Sequence, residues 1–161
     1  MRNPLRLRSL PRLLIVGLHE AAALLAGRYA RSEGAHAVVR DESGELLVVL
    51  PIFPPRRWGI PGGKVGQRET PHAAVVREVR EETGLEVVVE RCLLVDGHRW
   101  RSTDFIFACR SIGGRLRPQP EEIAEVRWMT DAEIARTSPK LARLLSLLPA
   151  GAEGTRYRNE R

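Results

Sequence analysis

Four glutamates and one arginine in the stretch Trp58–Leu85, WGIPGGKVGQRETPHAAVVREVREETGL, have types and spacing suited to holding a divalent cation against a phosphate. Glu78, Glu81 and Glu82 are related by three, four and one positions. With about 3.6 residues per turn, they share one side of a helix. Like charges gathered in this way repel one another, and burial sharpens the repulsion. A helix gains no stability from that arrangement. A hard cation such as Mg²⁺ relieves it, because it prefers carboxylate and carbonyl oxygens. Glutamate-rich helix faces also occur as plain solvated surface, so the weight falls on the longer pattern. Gly63 is followed after five residues by Glu69, and after seven more by Arg77-Glu78.

The elements that must carry these groups are legible locally. Pro61-Gly62-Gly63 cannot continue a strand; it reads as a sharp turn that lets backbone approach a ligand. Thr70-Pro71 reads as an N-cap with proline at the first helical position. Gly84 reads as the residue just past the helix end. The spacing therefore predicts a helix over 71–83, with Val75, Val76, Val79 and Thr83 on a different side, suited to packing on a sheet. Arg56, Arg57 and Trp58 precede the turn. Arginine grips phosphates and tryptophan stacks on rings, so the three are candidates for substrate binding. Solvated arginines and a core-plugging Trp58 are the plain alternative.

Over the 23 positions Gly63–Leu85, this segment resembles the Nudix box, the signature of the Nudix hydrolase family, with each defining position matched. A looser similarity runs from about Gly34 to about Leu148. The resemblance implies an α+β fold: an α/β/α sandwich whose mixed sheet lies between the box helix and a C-terminal helix. It implies hydrolysis of a phosphoanhydride bond in a small nucleotide, with Mg²⁺ as cofactor and Mn²⁺ as a substitute. Glu78, Glu82 and Glu81 become metal ligands, and the Gly63 carbonyl adds a neutral one. Arg77 pairs with Glu69 or a neighbouring carboxylate and holds the constellation in place. The general base is a box glutamate or a residue on a later loop, where Glu121, Glu122 and Glu125 are candidates. Pro120-Glu121-Glu122 follows an extended segment that could swing over the site.

Family subgroups carry further marks downstream. The proline of ADP-ribose hydrolases is replaced here by Arg101. The tyrosine of dinucleoside polyphosphate hydrolases and the SQPWPxPxS stretch of NADH hydrolases are also absent. A nucleoside triphosphate or a nucleotide sugar remains, with a lean to the first. The alternatives are an RNA-end, decapping-type hydrolase and a non-hydrolytic nucleotide sensor. Sensors usually lose box glutamates, and all are present here.

Composition narrows the setting. The chain has 161 residues, 43% hydrophobic and 29% charged, which suits one domain with a sizeable core. Lys and Arg exceed Asp and Glu by 26 to 20, for a pI near 10.3. Much of the excess lies at the ends, in Arg2, Arg6, Arg8 and Arg12 and in Arg156, Arg158 and Arg161. No nucleic-acid motif accompanies it, so a small phosphorylated partner is favoured over a polynucleotide. Cys92 and Cys109 sit in apolar runs without metal-ligand spacing. They read as buried reduced thiols in a cytoplasmic protein.

Three segments are expected: a helical extension over 1–33, the hydrolase domain over 34–149, and a disordered tail over 150–161. In the first, the apolar run Leu13–Leu18 is broken by His19-Glu20 and is too short and charged to span a membrane. Ala26-Gly27 imitates a signal-cleavage site. Leu10, Leu14, Leu18, Leu24 and Leu25 instead suit an amphipathic helix over roughly 11 to 30. It would pack on its own domain, on a second copy in a homodimer, or on a membrane surface, with protein preferred.

In the domain, Ala35–Leu50 reads as a hairpin around Asp41–Gly44. Glu86–Val95 reads as a strand and Asp96-Gly97-His98 as a turn. Thr103–Arg110 is the next strand, with Phe105, Phe107 and Cys109 on one face and Asp104, Ile106 and Ala108 on the other. Ile123–Met129 is a last strand, followed by helices near 131–136 and 138–148. His36 reads as structural, His98 as a solvated turn residue, and Asp104 as facing either the site or solvent.

Overall fold

A computed structural model of the protein describes residues 32–98, 102–149 and 155–159. All of them belong to one unit, Ser32–Arg161. The amphipathic helix expected over 11–30 lies outside the described residues.

The strands are Ser32–Val39 (β1), Leu46–Pro51 (β2), Gly62–Lys64 (β3), Leu85–His98 (β4), Ser102–Gly114 (β5), Ile123–Met129 (β6) and Arg156–Asn159 (β7). The helices are Pro71–Thr83 (α1), Asp131–Thr137 (α2) and Pro139–Ser146 (α3). Five strands form a mixed sheet in the order β3-β1-β5-β4-β7, and β2 pairs with β6 separately. β1 runs parallel to β5, and β7 runs parallel to β4.

The alternation expected along β5 sorts its side chains onto two faces. Phe107 and Cys109 pack with Ala35, Ala37 and Val39 of β1 beneath Ala74, Val75 and Val79 of α1. Ile106 points the other way, joining Leu94, Ile134 and Leu141 under α2 and α3. The result is an α/β/α sandwich. Of the two thiols, Cys109 is buried and Cys92 half-buried, and neither is in a disulfide. Burial pushes the Cys109 thiol up to about 12.

α1 begins and ends where its local chemistry dictates. The Thr70 hydroxyl oxygen accepts from the Ala73 N–H, Pro71 occupies the first turn, and Gly84 stops the helix at φ 74°.

Four expectations are corrected. Ala35–Leu50 is not a hairpin: β1 pairs with β3 and β5, while β2 pairs with β6. Only an isolated bridge, Arg40 to Leu46, joins the two arms. Pro61-Gly62-Gly63 leads into a short strand rather than a turn, because β3 needs only three residues to pair with β1. Asp96-Gly97-His98 extends β4, opposite Ser102–Asp104. The tail expected over 150–161 contributes β7.

Among the described residues no helix is long and apolar enough to cross a membrane.

Candidate active site

The box helix presents its glutamates to the glycine strand in graded burial. Glu82 is 8% exposed, at the edge of the apolar stripe of α1. Its Oε2 accepts the Gly62 N–H at 2.9 Å. Gly62 has φ 152°, and a Cβ there would collide with the Ala35 carbonyl and with His36. Only glycine brings its N–H to that point without strain. Glu78 packs on the next residue so closely that a methyl group on Gly63 would overlap its carboxylate. Glu81, on the outer side, is half exposed.

Arg77 joins the outer members. Its Nε and one Nη donate to the two oxygens of Glu69, both at 2.9 Å. The other Nη donates to Glu78 Oε1 at 2.8 Å and Glu81 Oε2 at 3.0 Å. The remaining N–H reaches the Lys64 carbonyl at 3.1 Å. A guanidinium has five N–H donors, and here five acceptors receive them. Glu69 is fixed further by the Gly66 N–H at 2.8 Å. Arg77, and secondarily that N–H, hold the Glu69 carboxyl down at about 2. The sequence expected one partner for Arg77; the structure gives three carboxylates.

Glu82 is outside this network, and its electrostatics run the other way. Burial, reinforced by Glu78, Glu122 and Glu81, pushes its carboxyl up to about 7 against the opposing Gly62 hydrogen bond. The charge of Glu122 thus reaches Glu82 through space. Glu125, by contrast, turns towards Arg127 at 3.8 Å. The segment bearing Glu122 is tied to the end of α1, since the N–H groups of Arg117 and Gln119 donate to the Thr83 and Glu82 carbonyls at 2.7 and 3.3 Å.

Among the described residues no three acidic, histidine or cysteine side chains converge into a ready-made metal cage. The donor set still fits a hard cation. Arg77 engages one oxygen of Glu78 and one of Glu81, and Gly62 one of Glu82. Each carboxylate thus keeps another oxygen, and Glu82 remains buried among like charges that a cation would offset.

For the metal-free protein this sets a pH dependence. The ordinary Glu value is 4.5, and that of Glu82 in the fold is about 7. Between these values the folded state holds a proton that the unfolded state has released, so stability falls as pH rises through the window. The expected loss is about 3 kcal/mol at most. Urea denaturation in EDTA at pH 5 and pH 8 measures it, and saturating Mg²⁺ should flatten the difference.

A cavity of 630 Å³ opens beside His36 and Gly59, lined also by Arg57, Trp58, Asp104 and Lys140. Trp58 packs on the second core cluster and also lines the cavity. The Arg127 guanidinium lies over its ring at 4.9 Å. Arg57 lines the cavity, whereas Arg56 is exposed away from it. His36, read as structural, is a wall of this cavity, with Nε2 3.9 Å from Asp104 Oδ1. Asp104 lines the cavity with its side chain 33% exposed. Lys140 and Arg143 were missed. Their spacing with Leu144 and Leu147, one face of a helix begun by Pro139, was the available signal.

An α/β/α sandwich with a carboxylate-bearing helix seated behind a two-glycine strand defines the class of fold. A model of the NUDIX domain matches residues 30–148, and the chain belongs to that family. It is 36% identical over 104 residues to a MutT-like protein of Streptomyces ambofaciens, covering 61% of this chain and 63% of that one. It is also 36% identical over 130 residues to a Mycobacterium tuberculosis protein named "Putative 8-oxo-dGTP diphosphatase 3", covering 74% of this chain and 55% of that one. The chain thus spans just over half to just under two thirds of these relatives. Among solved structures, a NUDIX hydrolase from Nitrosomonas europaea superposes with a TM-score of 0.67 at 18% identity, covering 80% of this chain and 78% of that one. That likeness concerns the fold.

Proposed function

We propose that the protein is a Mg²⁺-dependent pyrophosphohydrolase that cleaves a phosphoanhydride bond in a small nucleotide, by preference a nucleoside triphosphate. The observation that carries this reading is the Arg77 network, which fixes Glu69, Glu78 and Glu81 beside the buried Glu82 at the Gly62–Gly63 strand. Glu78, Glu82 and Glu81 would hold the cation, with the Gly63 carbonyl as a neutral ligand. Such an ion neutralises phosphoanhydride charge and lowers the pKa of bound water.

The chain's own groups do the rest. The Gly62 N–H fixes the orientation of Glu82. Arg77 stays charged and positions three carboxylates, Glu69, Glu78 and Glu81, without touching the substrate. Glu122, whose charge is felt at Glu82, is the later-loop candidate for taking a proton from an attacking water. The cavity beside His36 suits the nucleoside, with Trp58 as its aromatic wall and Arg57 at the rim. The relative named for 8-oxo-dGTP supports a triphosphate substrate. The intact carboxylate set supports catalysis over sensing.

The test is phosphate and pyrophosphate release from nucleoside triphosphates, nucleotide sugars and dinucleoside polyphosphates, with and without Mg²⁺. Mg²⁺-dependent turnover of the triphosphates is expected. Tight binding of a nucleotide without turnover of any would replace the enzyme reading with the sensor.

A further inference from the structure

A second cleft, of 470 Å³, opens at the C-terminal end of α1 and has Glu81 in its lining. Arg80, Arg115, Arg117 and Gln119 line it, with Pro118 and Pro120 stiffening its outer wall. These arginines neither cap the helix nor neutralise neighbouring acids. The terminal carbonyls of Arg80, Glu82 and Thr83 already accept backbone N–H groups from Gly84, Gln119 and Arg117, so side-chain capping is not needed. Nor does Arg80, Arg115 or Arg117 make an ion pair or side-chain hydrogen bond among the described residues.

The backbone that carries two of them is held against the helix end, where the Arg117 N–H donates to the Thr83 carbonyl. The backbone at Arg115 and Arg117 presses on Gly84 so tightly that a Cβ there would meet the Arg115 carbonyl. Three arginines and a glutamine thus line a cleft that shares Glu81 with the carboxylate cluster, and among the described residues the arginine side chains have no protein acceptor.

We propose that this cleft binds the distal phosphates of the substrate, so that the protein selects nucleotides whose leaving portion is a phosphate chain over those whose leaving portion is a sugar phosphate. Guanidiniums hold phosphate oxygens through paired N–H donors, and they are always charged. The nucleoside cavity and this cleft share no lining residue, and the cleft meets the carboxylate cluster at Glu81. A substrate with a ring at one end and anionic charge at the other matches that layout. The assignment to substrate phosphates rests on the carboxylate cluster being the reaction centre; anion binding by the cleft does not.

The experiment has two arms. In the first, inorganic tripolyphosphate is titrated by calorimetry into the full chain in EDTA at low salt. The Arg115→Gln/Arg117→Gln variant should bind at least about tenfold more weakly than wild type. Lys140→Gln/Arg143→Gln, in the other cavity, should stay within about twofold. Both pairs lie on the surface, and circular dichroism checks the fold. Equal weakening by the two variants, or none by the first, overturns the cleft as an anion site.

In the second arm, with Mg²⁺, the ratio of kcat/KM for a nucleoside triphosphate to that for a nucleotide sugar should fall about tenfold in Arg115→Gln/Arg117→Gln. An unchanged ratio overturns the selectivity. If wild type turns over neither substrate, the proposed reaction fails while the first arm still decides the cleft.

Discussion

Glu82→Gln should lower turnover by orders of magnitude and, in the same protein, raise metal-free stability above pH 7. The two effects have one cause. Glu82 is buried, carries repulsion from Glu78, Glu122 and Glu81, and titrates at about 7. A neutral amide of the same shape keeps an oxygen for the Gly62 N–H and removes both the desolvation and the repulsion. It also removes the charge that a cation would use. The variant should therefore lose the fall in stability between pH 5 and pH 8 expected of wild type in EDTA, and lose the gain conferred by Mg²⁺. Urea denaturation and steady-state turnover on one preparation measure both. Near-full activity would show that Glu82 is not a ligand, and unchanged pH dependence would show that its burial does not set the titration.

Arg77→Lys, which keeps the charge, should reduce kcat by about 10- to 100-fold. Lysine offers three donors from one point where Arg77 uses five from a planar fork. It cannot span both oxygens of Glu69 while reaching Glu78, Glu81 and the Lys64 carbonyl. The loss should appear mainly in kcat and in Mg²⁺ affinity, with KM for nucleotide little changed, because all five N–H donors of Arg77 are taken by protein acceptors. A variant altered in KM alone would assign Arg77 to substrate binding instead. Released from its partner, the Glu69 carboxyl should rise from about 2 towards the ordinary 4.5, which carbon-detected NMR titration can follow.

What was legible in the sequence had local causes. Thr70, Pro71 and Gly84 act within a turn of where they stand, so α1 was readable to its ends. The alternation of Phe105, Phe107 and Cys109 against Ile106 is likewise a property of one strand. Pairing between strands is not. β1 and β2 look like hairpin arms because a turn separates them, yet their partners come from segments far along the chain. β3 is three residues with two glycines, and no pattern can announce it. The carboxylate cluster was legible as a motif, while its geometry was not. Spacing places Glu82 beside Glu81 but does not say that one is buried and the other half exposed. The cavity needed His36, Asp104 and Lys140 from three elements, and only tertiary structure joins them.

The large sheet also bears on how copies of this protein behave when crowded. Among the described residues, one margin is β3, three residues long, and the other is β7, four residues long, paired with Leu94–Gly97 of the fourteen-residue β4. The rest of that outer strand would be a template for another chain to zip onto. Along it the register shifts three times, between Glu86 and Val87, between Val89 and Arg91, and between Cys92 and Leu94. Glu86, Glu90 and Arg91 place charge at the same stretch. A kinked, charged margin offers an incoming strand no straight run of partners, so the length that lets β4 support the fold does not make it a seed for fibrils.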